Sequence, residues 1–266
     1  MSSAAAPKDG DDDDEEEVAV GDFFAAASRF VVTRRFVFAA GGGAAADGAP
    51  LEVSQELDCS AAASTDYDLT GQVIWPSARL LSCFIVRRLR RAALAGQDVL
   101  ELGAGCGLVG LVAAHFAPRS VTLTDNEPEV LDILRRNLRH AAPGVDARCA
   151  DLDWGSARAH AALAAASGGR ERWRVILAAD VVYWRESIAP LCATLAALLA
   201  PGDGRCYLGY FERATSNTAA LERAIAEAGL AFERVPGADI LLDADRADAG
   251  LERDLMCVYV IRLAGP

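Results

Sequence analysis

The chain has 266 residues, of which 52% are hydrophobic and 24% are charged, and its formal net charge at pH 7 is −12. This length and composition predict one ordinary α/β domain with an extra arm, large enough to bury a core without disulfides or a structural metal. The excess of acidic residues argues against nonspecific binding to nucleic acid phosphates. No apolar run is long enough to cross a bilayer, so a membrane-spanning segment is not expected.

The cysteines and the N-terminal segment indicate the cellular compartment in which the protein is expected. The seven cysteines form no CxxC pair and their number is odd, so neither a metal site nor a disulfide framework is predicted. Residues 11–17 are all acidic, which predicts a disordered acidic tail over residues 1–20. This segment has neither the basic nor the apolar region of a secretory leader, and a cytosolic or nuclear protein is expected.

Two segments with partly alternating polarity precede the main domain. They are residues 30–38 and the segment that begins at Leu51, and a Gly/Ala-rich stretch joins them. This pattern predicts an N-terminal β-hairpin. We assign residues 21–70 to the hairpin arm and residues 71–266 to the main domain.

The main domain is predicted to begin with a helix at Pro76, whose arginine-rich end, including Arg87, is expected to be solvated. Strands and helices then alternate, which predicts a doubly wound, Rossmann-like sheet. The predicted strands are 98–102, 120–124, 147–150, 175–179, 205–211, 232–235 and 255–263, and the predicted helices are 108–116, 128–140, 188–199 and 218–228. The last two strands enclose an acidic loop, 236–253, that is expected to be mobile. Because no helix separates them, they predict a final hairpin with an antiparallel C-terminal strand.

A glycine-rich turn follows the first strand of this sheet. Glu101 lies at the end of the strand, and Gly103, Gly105 and Gly107 follow before the next helix. Glycines let the backbone approach a ligand closely, and a helix N-terminus favours a carboxylate or phosphate group. The frame from Gly103 gives the GxGxG of adenosylmethionine enzymes, whereas the frame from Gly105 to Gly110 gives the GxGxxG of a dinucleotide fold. The turn alone leaves both cofactors open.

Asp125 ends the second strand of the sheet, about 20 residues beyond the turn. A carboxylate at this place can accept both hydroxyls of a ribose. Both candidate cofactors carry that ribose, so Asp125 does not distinguish them. The alternative is that Asp125 caps the helix that begins near Pro128.

Two more segments follow later strands. Asp153-Trp154 comes after the third strand, where the indole ring can flank an adenine and Asp153 can read the edge of the base. Ala179, Asp180 and Tyr183 come after the fourth strand, at the crevice where open α/β sheets bind ligands. The alternatives are an ordinary half-buried tryptophan and, for Asp180 and Tyr183, a helix cap with a packed ring.

In chain order these motifs resemble those of the family 16 protein-lysine methyltransferases, and among them the METTL21-like group. The likeness covers the chain from about residue 30 onward and is carried by Trp75-Pro76, residues 101–110, Asp125, Asp153-Trp154 and Asp180-Val-Val-Tyr183. It implies the seven-stranded class I methyltransferase fold. It also implies transfer of a methyl group from S-adenosyl-L-methionine (SAM) to the lysine ε-amine of a non-histone protein, with S-adenosyl-L-homocysteine (SAH) as product.

The resemblance also implies roles for individual residues. The cofactor contacts that it implies are Trp75, Gly103, Ala104, Gly105, Asp125, Trp154 and Ala179. We add their neighbours Glu101, Asn126 and Asp153 to the expected cofactor site. Asp180 and Tyr183 are expected to line the lysine channel as catalytic residues. Asp180 would orient the amine, and the ring of Tyr183 would hold its cationic form. The expected partner is a protein that carries the target lysine, and the chain is expected to be a monomer.

Three other functions stay open at this point. A class I methyltransferase that acts on a small molecule would share the cofactor residues. A nicotinamide-dependent oxidoreductase is allowed by the GxGxxG frame and Asp125, but Asp153-Trp154, the Asp180–Tyr183 segment and the C-terminal hairpin argue against it. A binding module that keeps the fold without activity is disfavoured because the cofactor residues are present.

Overall fold

A computed structural model describes residues 31–39, 50–58, 67–213, 215–243, 245 and 251–265. The acidic tail predicted at 1–20 lies outside the described residues, as does most of the turn of the predicted hairpin. Within the described ranges, no helix is both long enough and apolar enough to span a bilayer. The boundaries proposed at residues 20/21 and 70/71 stay predictions.

The N-terminal hairpin is confirmed. Its strands are β1 (Val31–Phe38) and β2 (Leu51–Asp58), which pair antiparallel with Phe38 opposite Leu51. Phe38 and Val53 are buried and belong to the hydrophobic core of the main domain. The hairpin therefore packs onto the domain along one face.

The main domain is built on a seven-stranded sheet. Its strands are β3 (Asp98–Leu102), β4 (Ser120–Asp125), β5 (Asp146–Asp151), β6 (Val175–Ala179), β7 (Arg205–Phe211), β8 (Leu230–Pro236) and β9 (Met256–Leu263). They lie in the order β5-β4-β3-β6-β7-β9-β8. β3 to β7 are parallel, and β9 lies antiparallel between β7 and β8. The predicted fold, with its reversed C-terminal strand, is confirmed.

Helices cover both faces of the sheet. They are α1 (Pro76–Phe84), which continues through a π-helical turn (Ile85–Leu89) into α2 (Arg90–Leu94), then α3 (Leu108–Ala114), α4 (Pro128–Asn137), α5 (Ala157–Ala166), α6 (Ile188–Leu198) and α7 (Thr215–Glu227). Leucines of α1, α3 and α4 form one core cluster, and leucines of α5, α6 and α7 form the other. The carboxyl ends of the parallel strands stay open between these layers.

Helix α5 was not predicted. It is rich in alanine, and Leu163 is its one buried side chain, so it carries no apolar stripe for a periodicity argument to find. Its start is fixed by Ser156, whose hydroxyl accepts a hydrogen bond of 3.2 Å from the N–H of Ala159. Alanine has the highest intrinsic helix propensity, which explains why the segment is helical.

The prediction of a solvated arginine end was wrong for Arg87. Its side chain is only 6% exposed and forms two hydrogen bonds, of 2.7 and 3.0 Å, to the carboxylate of Asp245. Next to it, Arg88 donates to the carbonyl of Asp239 at 2.8 Å. These bonds attach the acidic 236–253 loop to the domain at Asp239 and Asp245.

Asn137, at the end of α4, joins the hairpin to the glycine turn. Its side chain is fully buried. The Asn137 amide oxygen accepts from the N–H of Glu56 at 2.7 Å, and its amide nitrogen donates to the carbonyls of Glu56 and Cys106, each at 2.9 Å. One side chain thus holds the backbone of β2 and the backbone of the turn together.

Candidate active site

A cavity of about 410 Å³ opens at the carboxyl ends of β3, β4 and β6. All the residues predicted to bind the cofactor or the lysine line this cavity: Trp75, Glu101, Gly103, Ala104, Gly105, Asp125, Asn126, Asp153, Trp154, Ala179, Asp180 and Tyr183. The structure therefore brings the whole predicted set together, although the roles of its members stay predictions. Sequence reasoning missed Thr70 and Gly71, which contribute to the wall from the segment before α1.

The glycine turn forms one side of the cavity. Gly103, Gly105 and Gly107 have φ angles of 59°, 54° and 88°, in the left-handed region that glycine adopts without a steric penalty. At Gly105 the space is also restricted, because a Cβ atom there would lie 2.7 Å from the carbonyl oxygen of Gly71. The turn consequently requires glycine at this position for two independent reasons.

Glu101 lies beneath the turn and is 2% exposed. One of its carboxylate oxygens accepts a hydrogen bond of 2.8 Å from the N–H of Gly110 in α3. Burial raises the pKa of Glu101 to about 8, and the bond from Gly110 opposes this shift. A side chain of the protein, Glu101, therefore accepts a hydrogen bond from the first turn of α3.

Asp125 is held by three backbone N–H groups. Its carboxylate accepts from Gly105 at 3.0 Å, from Asn126 at 2.9 Å and from Glu127 at 3.3 Å. Burial nevertheless raises the pKa of Asp125 above its usual value. The N-cap position of α4 is Glu127, so the alternative that Asp125 caps this helix is wrong. Asp125 instead fixes the glycine turn against the end of β4.

Two tryptophans line the cavity. Trp154 is half-buried, and a Cβ atom on Gly103 would lie 3.1 Å from its ring, so the glycine lets the indole lie against the backbone. Trp75 is also half-buried, and its indole N–H donates to the carbonyl of Thr70 at 2.8 Å. Asp153 is exposed at the edge of the cavity. The wall of the cavity therefore includes two flat aromatic surfaces.

Asp180 has an unusual backbone and a buried side chain. Its φ angle is 60°, which is uncommon for a residue other than glycine, and its N–H donates to the carbonyl of Gly209 at 3.0 Å. Its side chain is 4% exposed. Both carboxylate oxygens accept hydrogen bonds from Arg213, at 2.5 and 2.8 Å. The carboxylate that was expected to orient an amine is thus already paired with a cation of the chain.

Arg213 is the main functional candidate that sequence reasoning missed. It follows Phe211, the last residue of β7, and β7 neighbours β6 in the sheet. Its guanidinium carbon lies 5.4, 5.3 and 5.1 Å from the ring centroids of Trp75, Tyr183 and Phe211. The hydrogen bonds to Asp180 raise the pKa of Arg213, which keeps it charged. The one feature of the sequence that could have indicated Arg213 is its position, as a basic residue just after β7.

The rim beside Asp180 is aromatic and open to solvent. Tyr183 and Trp184 are 40% and 41% exposed, and their rings meet edge to face with centroids 4.8 Å apart. The rings of Tyr183 and Trp75 are 6.1 Å apart. Within the described part of the chain, no group of three or more His, Cys, Asp or Glu residues is arranged to hold a metal ion.

The sheet order and its reversed strand define a class I methyltransferase fold. The fold is shared with magnesium protoporphyrin IX methyltransferase from Synechocystis PCC 6803, solved with bound SAM, at a TM-score of 0.51 and 13% identity over 76% of this chain and 85% of that chain. A likeness at this level of identity concerns the fold alone.

The sequence comparisons identify the family. The family 16 model, described as lysine methyltransferase, matches residues 54–225, more than half of the chain, and the chain belongs to this family. The chain is 36% identical to protein N-lysine methyltransferase METTL21A of Danio rerio over 46% of this chain and 53% of that protein. It is 31% identical to calmodulin-lysine N-methyltransferase of Arabidopsis thaliana over 50% of this chain and 42% of that protein. The alignments therefore span about half the length of these curated relatives.

Proposed function

We propose that this chain transfers a methyl group from SAM to the ε-amine of a lysine in a non-histone protein. The observation that carries the proposal is the layout of one cavity. The glycine turn and Asp125 line the same cavity as Trp75, Asp180 and Tyr183. Family membership and the protein-lysine methyltransferases among the relatives support the same activity.

The residues proposed to bind the nucleoside, Asp125 and Trp154, fit SAM. Asp125 is fixed by three backbone bonds and keeps one lone pair, on Oδ2, for a ribose hydroxyl, and the indole of Trp154 offers a flat surface for an adenine. The cavity of 410 Å³ lies in the range of about 300–1,000 Å³ that is usual for small ligands. The glycine turn, Asp125 and Trp154 would hold SAM, which would supply an activated methyl group on its sulfonium sulfur and would leave as SAH.

The contribution of the protein is then alignment and exclusion of water. The ring of Tyr183 is 40% exposed and lies 6.1 Å from that of Trp75, and it can pack against the apolar stem of a lysine. Asp180 can accept from the amine with the lone pairs that Arg213 leaves unused. The amine attacks only when neutral, and its proton goes to solvent beforehand.

Three further points belong to the proposal. We infer that the protein acts as a monomer, that it works in the cytosol or the nucleus, and that its partner is a protein and not a nucleic acid. The net charge of −12 supports the last inference. Light scattering during size-exclusion chromatography tests the first.

Transfer of radiolabel from SAM to the proteins of a heat-treated cell lysate tests the activity. We expect label in protein that is recovered as methyllysine after hydrolysis, with little label when Asp125→Asn replaces the wild type. Label confined to small metabolites would instead support a small-molecule methyltransferase. A thermal-shift comparison separates the oxidoreductase alternative, since SAH and not NAD should stabilise the protein.

A further inference from the structure

Arg213 is surrounded by groups that favour a cation. Its guanidinium binds both oxygens of Asp180 and lies within 5.4 Å of three ring centroids. The side chain of Asp180 is 4% exposed and that of Arg213 is 28% exposed, so the carboxylate is removed from solvent while the guanidinium stays partly open to it. Pairs of this kind are strongly held, because separating them leaves a buried charge without compensation.

The pair determines the electrostatic environment of a substrate amine at the cavity mouth. A lysine amine has an ordinary pKa of about 10.4, so most of it is protonated at neutral pH. An unpaired carboxylate beside it would favour the ammonium form further, whereas a compensated carboxylate would not. A methyl acceptor needs the neutral form, since an ammonium has no lone pair.

We propose that Arg213 is a positioning residue for methyl transfer: it fixes the Asp180 carboxylate and offsets its charge, so that an incoming lysine is accepted as the neutral amine. This inference rests on the proposed lysine methyltransferase function. It differs from a blocking role, in which the guanidinium would occupy the place of the lysine and would have to leave.

The other ionisable groups around this pair come from two segments of the chain. Tyr183 and Glu186 come from the segment after β6, and Tyr210 and Glu212 come from β7 and its end. Tyr210 bonds to the hydroxyl of Thr218, and Glu212 lies 3.7 Å from Arg234 of β8. From the start of α1, Trp75 contributes a ring without charge. None of these groups is altered in the variants below, so a change in the pH profile reports on Asp180 and Arg213.

The test is the pH dependence of the methylation rate, measured with radiolabelled SAM and heat-treated lysate protein. Arg213→Met leaves the carboxylate uncompensated, so we expect the midpoint of the profile to rise by about one pH unit, with about tenfold less activity near neutral pH. Asp180→Asn leaves the guanidinium uncompensated, so its midpoint should fall below that of the wild type. Arg213→Lys, and the double variant Asp180→Asn with Arg213→Met, should keep the wild-type midpoint.

Two measurements separate this effect from a folding defect. SAH binding by calorimetry should stay within about threefold of the wild type, because no variant replaces a residue expected to contact the cofactor. Arg174→Met removes a surface ion pair with Asp203 at the opposite end of the strands and should leave the profile unchanged. If Arg213→Met does not fold, the opposite shift of Asp180→Asn and the unshifted double variant carry the test.

Two results would overturn the inference. A loss of rate that is equal at every pH, with no change in midpoint, would assign Arg213 a structural role alone. An Arg213→Met enzyme faster than the wild type would show that the guanidinium blocks the lysine. If the wild type labels no protein lysine at all, the proposed function fails first, and the two failures are thereby distinguished.

Discussion

Glu101 accepts a hydrogen bond of 2.8 Å from the N–H of Gly110, and this bond joins the end of β3 to the first turn of α3 beneath the glycine turn. Burial raises the pKa of Glu101 to about 8 from an ordinary value of 4.5. Between these pH values the folded chain holds a proton that the unfolded chain has lost. The free energy of unfolding therefore decreases as the pH rises through this window.

The first prediction follows from this decrease of stability with rising pH. Glu101→Gln keeps an acceptor for Gly110 and removes the titration, so its stability should change less with pH. Between about pH 5 and pH 8 we expect the Tm of the wild type to fall, relative to that of Glu101→Gln, by about 5 °C or more. Thermal unfolding across this range measures the difference, and parallel curves for the two proteins would contradict the prediction.

The second prediction concerns Asp125. Its carboxylate accepts from Gly105, Asn126 and Glu127, and it is the proposed ribose ligand. Asp125→Asn replaces one acceptor oxygen with a donor, so it disturbs both the turn and the ribose site. We expect SAH to bind at least about tenfold more weakly in calorimetry. Asp146→Asn, at the other end of the neighbouring strand β5, is the matched control and should bind SAH normally.

The third prediction separates the ring of Tyr183 from its hydroxyl. The ring contacts Trp184 and Trp75 at the cavity mouth and is 40% exposed. If the ring packs against the substrate lysine, Tyr183→Phe should keep most of the methylation rate, whereas Tyr183→Ala should lose about tenfold in kcat/KM with unchanged SAH binding. Equal rates for Tyr183→Ala and the wild type would remove the proposed role.

Local patterns in the sequence account for most of the fold. The seven strands of the sheet follow from short apolar runs between turn residues. Each cavity residue that was predicted lies at the carboxyl end of such a strand, in the segment that follows it, or in the segment before α1. Helix α5 was not predicted from the sequence, because its alanines favour a helix without forming an apolar stripe. Arg87 was misjudged because its partner, Asp245, lies 158 residues further along the chain.

The role of Arg213 in the site could not be predicted for the same reason, because its contacts are distant in the sequence. Its partner Asp180 lies 33 residues before it, and its three aromatic contacts come from the residue before α1, from β7 and from the segment after β6. The sequence places each of these groups at the carboxyl edge of the sheet. It does not say which side chains pair there, because that depends on the adjacency of β6 and β7 and on the backbone conformation of Asp180.

The fourth prediction concerns Asn137. Alanine at this position would leave the N–H and carbonyl of Glu56 and the carbonyl of Cys106 without their buried partner. We expect a loss of about 2–4 kcal/mol in the free energy of unfolding, measured with chemical denaturant. Arg135→Ala removes a neighbouring exposed ion pair and should cost less than about 1 kcal/mol. Similar losses for the two variants would show that Asn137 does not hold the hairpin and the turn together.

The fifth prediction separates backbone strain from steric contact at the glycine turn. Gly105 and Gly202 both have positive φ angles, of 54° and 79°, so alanine is strained at either position. Only at Gly105 would the added Cβ meet a backbone atom, the carbonyl oxygen of Gly71 at 2.7 Å, whereas nothing lies within 4 Å at Gly202. Gly202→Ala should therefore cost about 1 kcal/mol and bind SAH normally.

Gly105→Ala should cost more than this, because the turn must shift away from Gly71 and the hydrogen bond from Gly105 to Asp125 must lengthen. That bond ties the turn to the proposed ribose ligand, so we expect SAH affinity to fall at least about tenfold as well. Calorimetry and thermal unfolding on the two variants measure both effects. If Gly105→Ala resembles Gly202→Ala in both measurements, the turn accommodates a methyl group, and its close approach to Gly71 has no part in cofactor binding.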